Sequence, residues 1–417
     1  MQENEDQVDF LDDIYETAAP THTHAAFAEF KPWHHPRKHW VRINQLCTLT
    51  QKLMKESSFN DGNVLRYLTL PGEDLLDIDS IENAATSGAE ELLDLQAVAG
   101  VGKQALKVKY LGFNTVGKNR DRAARQNTAE SALKDRDTID SSSKIVNYEI
   151  QSIANENSLA YREVSEFGPF NVINLDLCKS VASPPKNSNG HSYFDAISTI
   201  LELQRQNMAQ PFLLLITTRT AHKAIDKEAL EKIVAVYKDN FAKSEEFKKE
   251  LEALIHSEAE ALLKKLTSGE TVPQEFLNRI FGVGLGKWLL HLVKNGSPEW
   301  NVSIESMCCY GIGQESGTML SIAFKFTRVN VSLEDKFGLS SKKRKAPSDP
   351  QKTETMLAIE MLSASKTIVD VDFELESNPE SKKKVVGQAG ALLERIGYER
   401  SKYDSWAMSQ TNASAKQ

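Results

Sequence analysis

The chain has 417 residues, 40% apolar and 26% charged, ordinary globular proportions, and its length makes two or three structural units the expectation. A net charge of -8 excludes a surface that attracts nucleic acid or anionic lipid as a whole, while a local basic patch stays open. Four cysteines without a C-x-x-C pair argue against a disulfide scaffold or a structural zinc site, and no apolar run approaches the roughly 20 residues of a membrane helix, so a cytoplasmic protein without a metal is expected.

Residues 1–30 are acidic and then rich in Ala, Pro and Thr-His, the composition of a flexible arm and the reverse of a signal peptide's n-region. Residues 31–59 open with "KPWHHPRKHW", where Lys31, Arg37, Lys38 and Arg42 stand among Trp33 and Trp40. Cations beside aromatics suit a nucleic-acid backbone with stacked bases, or an acidic protein partner. The plainer reading is a lead-in that packs its tryptophans on the next domain and leaves its charges in water. His22, His24, His34, His35 and His39 have no carboxylate or Cys at ligand spacing. Val41, Ile43, Leu46, Leu49 and Leu53 then recur at intervals that suit one helix.

Five short apolar runs follow, alternating with helix-like segments. "NVLRYLTL" reads as a strand broken by Pro71-Gly72, "ALKVKYLGFNT" as a second, "SKIVNYEIQSIA" as a third, "FNVINLDLC" as a fourth and "PFLLLITTRT" as a fifth. Between the last two, Phe194, Ile197, Ile200 and Leu201 have helical spacing. Apolar strands alternating with helices imply an α/β fold with a mostly parallel, Rossmann-like sheet covered on both faces. Residues 222–292, dense in Glu, Lys, Ala and Leu, read as a helical insertion. Within them "FGVGLGKWLL" lacks the spacing of a phosphate loop and reads as a glycine-containing turn before an apolar helix. "NVSIESMCCYGIGQESGTMLSIAFKFTRV" reads as a closing antiparallel hairpin around Gly311, Gly313 and Gly317. Residues 336–356 form a charged linker containing "SKKRK", and 357–417 a small C-terminal appendage with an amphipathic helix and an aromatic-tipped tail.

Across residues 60–335 this order resembles the class I S-adenosylmethionine-dependent methyltransferase fold, in which parallel strands end in one antiparallel hairpin strand. The likeness rests on "LRYLTLPG", "VKYLGFNT", "IVNYEIQSIA", "VINLDLC", "PFLLLITT" and the hairpin, taken in chain order. It implies a cofactor crevice beyond the carboxyl ends of the strands, where Pro71, Gly72, Glu73, Asn114, Glu149, Asp176 and Cys178 would gather. It also implies S-adenosylmethionine as the possible cofactor. Asp176 is the candidate catalytic residue, since a carboxylate at the end of the fourth strand could accept a hydrogen bond from a target amino group or orient a base. An Asp there can equally serve nearby backbone N–H groups. Cys178 with His191 would form a nucleophile pair only if a cation lowered the thiol pKa.

This chain departs from the family pattern in three places. The first strand leads to one glycine, the second ends on Asn114 where an acidic residue is usual, and Pro184-Pro185 stand well downstream of the fourth. These departures favour a diverged domain serving as a scaffold or interaction subunit in a multi-protein assembly, with protein partners expected and nucleic acid left open as a partner of residues 31–42. An active methyltransferase on nucleic acid or protein, and another nucleotide-binding enzyme, are the alternatives. The combination of a diverged core with added helical and C-terminal parts is also similar to proteins of bacterial antiviral-defence clusters.

Overall fold

The computed structural model describes residues 29–56, 63–97, 106–115, 119–185, 190–312, 315–329 and 352–410, with the backbone alone for 87–97. The acidic arm up to residue 28, most of the charged linker and Gly313 lie outside the described residues. Eight strands, β1 (Val64–Thr69), β2 (Lys107–Phe113), β3 (Lys144–Val146), β4 (Val172–Asp176), β5 (Phe212–Arg219), β6 (Trp300–Ile312), β7 (Glu315–Arg328) and β8 (Val369–Asp370), form one sheet in the order β3-β2-β1-β4-β5-β7-β6-β8. Strands β1 to β5 pair in parallel, and β7 runs antiparallel between β5 and β6. The order 3-2-1-4-5 is that of a doubly wound sheet. The reversed β7 completes the diverged methyltransferase-like arrangement that the sequence implies.

Strand residues alternate between two covered faces, as the period of two requires. Leu68, Leu111, Phe113, Ile173, Leu175, Leu214 and Ile216 enter the larger core. Helices α5 (Leu159–Phe167), α6 (Tyr193–Asn207), α7 (Lys227–Lys243), α8 (Glu245–Ile255), α9 (Ala259–Ser268), α10 (Gln274–Lys294) and α11 (Glu354–Ser365) pack into the same core, as do β6 and β7. Leu65, Tyr67, Val108, Tyr110, Val172 and Leu215 face the other way, against Leu46, Leu49 and Leu53 of the lead-in and Ile78 and Ile81 of α3 (Leu76–Ala97). The lead-in is therefore an unbroken helical rod: α1 (Pro36–Val41), π-type turns over Arg42–Cys47, then α2 (Thr48–Glu56). Helix α4 (Arg120–Lys134) follows β2.

Three expectations are corrected. The third strand stops at Val146, because Ile150 and Ile153 are buried three apart in a 3-10 turn, a helical spacing. The C-terminal residues form α11, α12 (Val371–Ser377), α13 (Pro379–Glu394) and α14 (Arg400–Ser409), and β8 adds to the main sheet beside β6. Finally, Gly282, Gly284 and Gly286 are no turn but lie inside α10.

Those glycines let α10 approach its neighbours: a Cβ on Gly284 would stand 2.5 Å from Ile233 Cγ2, and one on Gly282 2.6 Å from Met307 Cε. Glycine in a helix ordinarily costs about 1 kcal/mol relative to alanine. Overpacking against a stiff β-branched side chain costs about 1–3 kcal/mol. Gly284→Ala is therefore expected to lower the thermal midpoint; a raised midpoint would show that Ile233 yields.

Candidate functional site

The carboxyl ends of β1, β2 and β4 meet under the lead-in, where a doubly wound sheet keeps its ligand crevice. After β1 the chain turns through Pro71, Gly72, Glu73 and Asp74 to Leu75, whose φ of 51° is left-handed and strained for leucine. This turn buries both carboxylates. Pro71 presses on β2, since a Cβ on Gly112 would come within 2.9 Å of Pro71 Cγ. Gly72 alone is exposed, with open space beside it.

Each carboxylate here has a partner within the chain. Asp74, with 2% of its side chain exposed, accepts from Trp33 Nε1 at 2.9 Å, His34 Nε2 at 2.9 Å and Arg125 Nε at 2.7 Å. Glu73 accepts from Arg122 Nε at 2.7 Å. Asp77 accepts from Arg42 Nε at 2.6 Å. Asp176, at the end of β4, receives Lys38 Nζ on both oxygens, at 2.5 and 2.6 Å. Lys38 also lies over the Tyr310 ring, 5.6 Å from its centroid. Burial works against the Lys38 charge, but Asp176 and Tyr310 prevail and hold the ammonium above its ordinary pKa.

The remaining strap residues are tied down in the same way. Arg37 Nη1 donates to the Gly311 carbonyl at 2.5 Å and its Nε lies 3.2 Å from Asp372. Gln45 donates to Ser306 and accepts from Ser321 Oγ at 2.6 Å, and Ser321 shares a hydrogen bond with Thr217 of β5. Lys31 pairs with Glu29, and Trp40 packs beside Val41, Cys308, Tyr310 and Val371. From the C-terminal side, Tyr403 donates to the His34 carbonyl at 2.9 Å, and Phe30 sits among Tyr398, Tyr403 and Trp406.

His34 has no exposed side-chain surface. Its Nδ1 accepts from the Lys31 N–H at 3.1 Å, so the proton is assigned to Nε2, which donates to Asp74. Burial holds its pKa below the ordinary value against the pull of Asp74.

The structure thus brings Lys38, Arg42 and Asp176 together, sets Glu73 against Arg122 and Pro71 against β2, and turns most of the 31–42 segment inward. Of the residues expected to make an outward contact with nucleic acid or a partner, Arg37 and Arg42 are buried and Trp33, Lys38 and Trp40 bond or pack inside, while Lys31 stays at the surface beside Glu29. The charges of Arg37, Lys38 and Arg42 are therefore not left in water, as the plainer reading had it. Asn114 is occupied as well, donating from Nδ2 to Gln126 Oε1 at 2.8 Å. Glu149 stays exposed at the start of the 3-10 turn Ile150–Ala154. The Cys178 thiol is pushed up by desolvation and by Asp176, with Lys38 and Arg122 pulling it down.

Asp74, Asp77 and Asp372 carry the closure without having been singled out in the sequence, and Tyr398 and Tyr403, the aromatic tip of the tail, join them. The signal for Asp74 and Asp77 was the acidity of "PGEDLLDI" against the cations of "PWHHPRKHW". Complementary charge in two segments does not say that they meet.

What remains beneath the strap, between Lys38, Arg42, Asp77, Asn174, Asp176 and Thr217, is a cavity of about 20 Å³. That is room for one water, against roughly 300–1,000 Å³ for a small-molecule site. This cavity is too small for S-adenosylmethionine, and Asp77 and Asp176 in its lining are paired. Among the described residues no three His, Cys, Asp or Glu side chains converge on a metal position. No described helix is long and apolar enough to cross a membrane.

The family model described as PP_RS20740-like matches residues 27–408, which takes in the strap, the sheet and the C-terminal helices. The chain belongs to the PP_RS20740-like family. No curated protein matches it. Among solved structures it is similar to a protein of Listeria monocytogenes described as a class I S-adenosylmethionine-dependent methyltransferase, with 9% identity, a TM-score of 0.28, and 84% of this chain and 71% of that one covered. It is also similar to the plantazolicin methyltransferase BpumL in complex with SAH, with 9% identity, a TM-score of 0.29, and 70% of this chain and 84% of that one covered.

Proposed function

We propose that this protein is an interaction subunit built on a methyltransferase-like sheet whose cofactor crevice is closed by its own N-terminal strap. The observation that carries this reading is Lys38 seated on Asp176, at the strand end where a methyltransferase meets its cofactor and substrate. A second ammonium or sulfonium ligand cannot share that carboxylate without displacing Lys38. Pairing of the strap cations within the chain, together with the net charge of -8, supports a protein partner over nucleic acid.

Isothermal calorimetry of the full chain with S-adenosylmethionine and S-adenosylhomocysteine, at neutral pH and up to millimolar ligand, is the test. No saturable heat is expected. A dissociation constant below about 1 mM for either ligand overturns the reading.

A further inference from the structure

We infer that the strap from Lys31 to Arg42 is an acid-released latch, with His34, His35 and His39 as its proton sensors. This rests on the proposed closure of the crevice and adds its regulation.

Each of the three imidazoles already uses a ring nitrogen as an acceptor, and each stands near cations. His34 Nδ1 accepts from the Lys31 N–H, and its other nitrogen is committed to Asp74. Around it stand Arg125 of α4, Arg42 of its own rod, and the hydroxyl of Tyr398, 3.4 Å from Nε2. His35 Nδ1 accepts from the Arg37 N–H at 3.3 Å and Arg37 Nε at 3.1 Å. Lys382 of α13 adds a second positive charge, and the Trp406 ring of α14 packs edge-on at 6.1 Å. His39 Nδ1 lies 3.3 Å from Arg42 Nη1, and its Nε2 is buried without a hydrogen-bond partner. A proton added to any of these rings breaks an accepting contact or places a cation against a cation. Only His34 has a carboxylate on its ring.

The directions of the pKa shifts agree with this geometry. Burial and the Arg37 and Lys382 charges push His35 down to about 3. Burial and Arg42 hold His39 well below its ordinary value. Burial leads at His34 too, with Asp74 opposing.

The carboxylates facing the strap are Asp74, Asp77, Asp176 and Asp372, with the exposed Glu29 on Lys31 at its start. Asp74 is held below its ordinary pKa by His34, Trp33 and Arg125 against burial, so it keeps its charge and resists release. Asp372 is held above by burial, with Arg37 pulling it down, so acid also weakens the Arg37 anchor.

The sign follows from which state binds the proton. The released strap titrates near the ordinary value of 6.5, and the closed one does so only at lower pH. Closure is therefore fully favoured above that value and is lost as pH falls below it, by up to tenfold per histidine for each pH unit. The π-type turns Arg42–Cys47 lie between the polar-anchored α1 and α2, whose Leu49, Leu53 and Met54 bury themselves on the sheet, so α1 has the weaker apolar hold.

The test is hydrogen exchange by mass spectrometry on the full chain at about pH 7.5 and about pH 5.5, corrected for intrinsic exchange rates. Amides of the strap are expected to lose protection at least tenfold in acid while those of β4 and β5 keep theirs. The variant H34Q/H35Q/H39Q is expected to keep the strap protected at both pH values. Equal strap protection in the wild type at the two pH values overturns the latch, as does an acid loss that persists in the triple variant. Should that variant not fold, histidine NMR titration of the wild type decides: the three rings must titrate together with strap opening, and titration without opening overturns the inference. Calorimetry at neutral pH tests the closed crevice separately, so a saturable heat there overturns the proposed function and not the latch.

Discussion

Asp74→Ala is expected to remove about 4 kcal/mol of folding stability, read as a lower urea midpoint at unchanged slope. The side chain is 2% exposed and accepts from an indole, an imidazole and a guanidinium drawn from three parts of the chain. Truncation takes from Arg125 its 2.7 Å partner, leaving Glu73 at 3.9 Å, and removes the acceptor shared by Trp33 and His34, which is the costly way to break a buried cluster. Asp74→Asn keeps one acceptor oxygen for Trp33 or His34 but no charge for Arg125, and should fall between. A loss below about 1 kcal/mol for the alanine variant would mean that water replaces the carboxylate, and that the strap is not pinned there.

Lys38→Met is expected to cost about 3 kcal/mol, the low end of the range for removing one partner of a buried pair, because the side chains keep 19% and 27% exposure. Asp176→Ala should cost a similar amount. The double variant K38M/D176L should lose less than the two singles together, since replacing both partners with apolar groups leaves no stranded charge. Additive losses in urea unfolding would show that the pair does not interact. Asp176 is therefore no clean probe of catalysis: a loss of any activity on its removal has to be separated from loosening of the strap, which Lys38→Met produces with the carboxylate intact.

Strands β1, β2, β4, β5, β6 and β7 were legible in the sequence because their apolar runs and flanking turns are local patterns. The third strand was overread where β-branched residues continue into a 3-10 turn, and the α10 glycines were read as a break because what they pack against, Ile233, Met307 and Met361, is remote. The crevice fared differently. Its members were mostly visible, for Asp176, Glu73 and the 31–42 cations were all singled out, but their state was not. Lys38 and Asp176 stand 138 positions apart, and Trp33 and Asp74 stand 41 apart. No window of sequence shows a side chain from one segment filling a space framed by another.

The aromatic clasp between Phe30, His34 and the C-terminal helices gives biosynthesis a direction. His34 is among the first described residues to be made, yet the tyrosines that hold it, Tyr398 and Tyr403, emerge 364 and 369 positions later. Segments made early can fold before later ones appear. The strap can therefore meet Asp74, Asp77 and Asp176 early, but it stays without this clasp until the last helices emerge. A product cut short before Tyr398 would keep those anchors and lose the aromatic clasp alone.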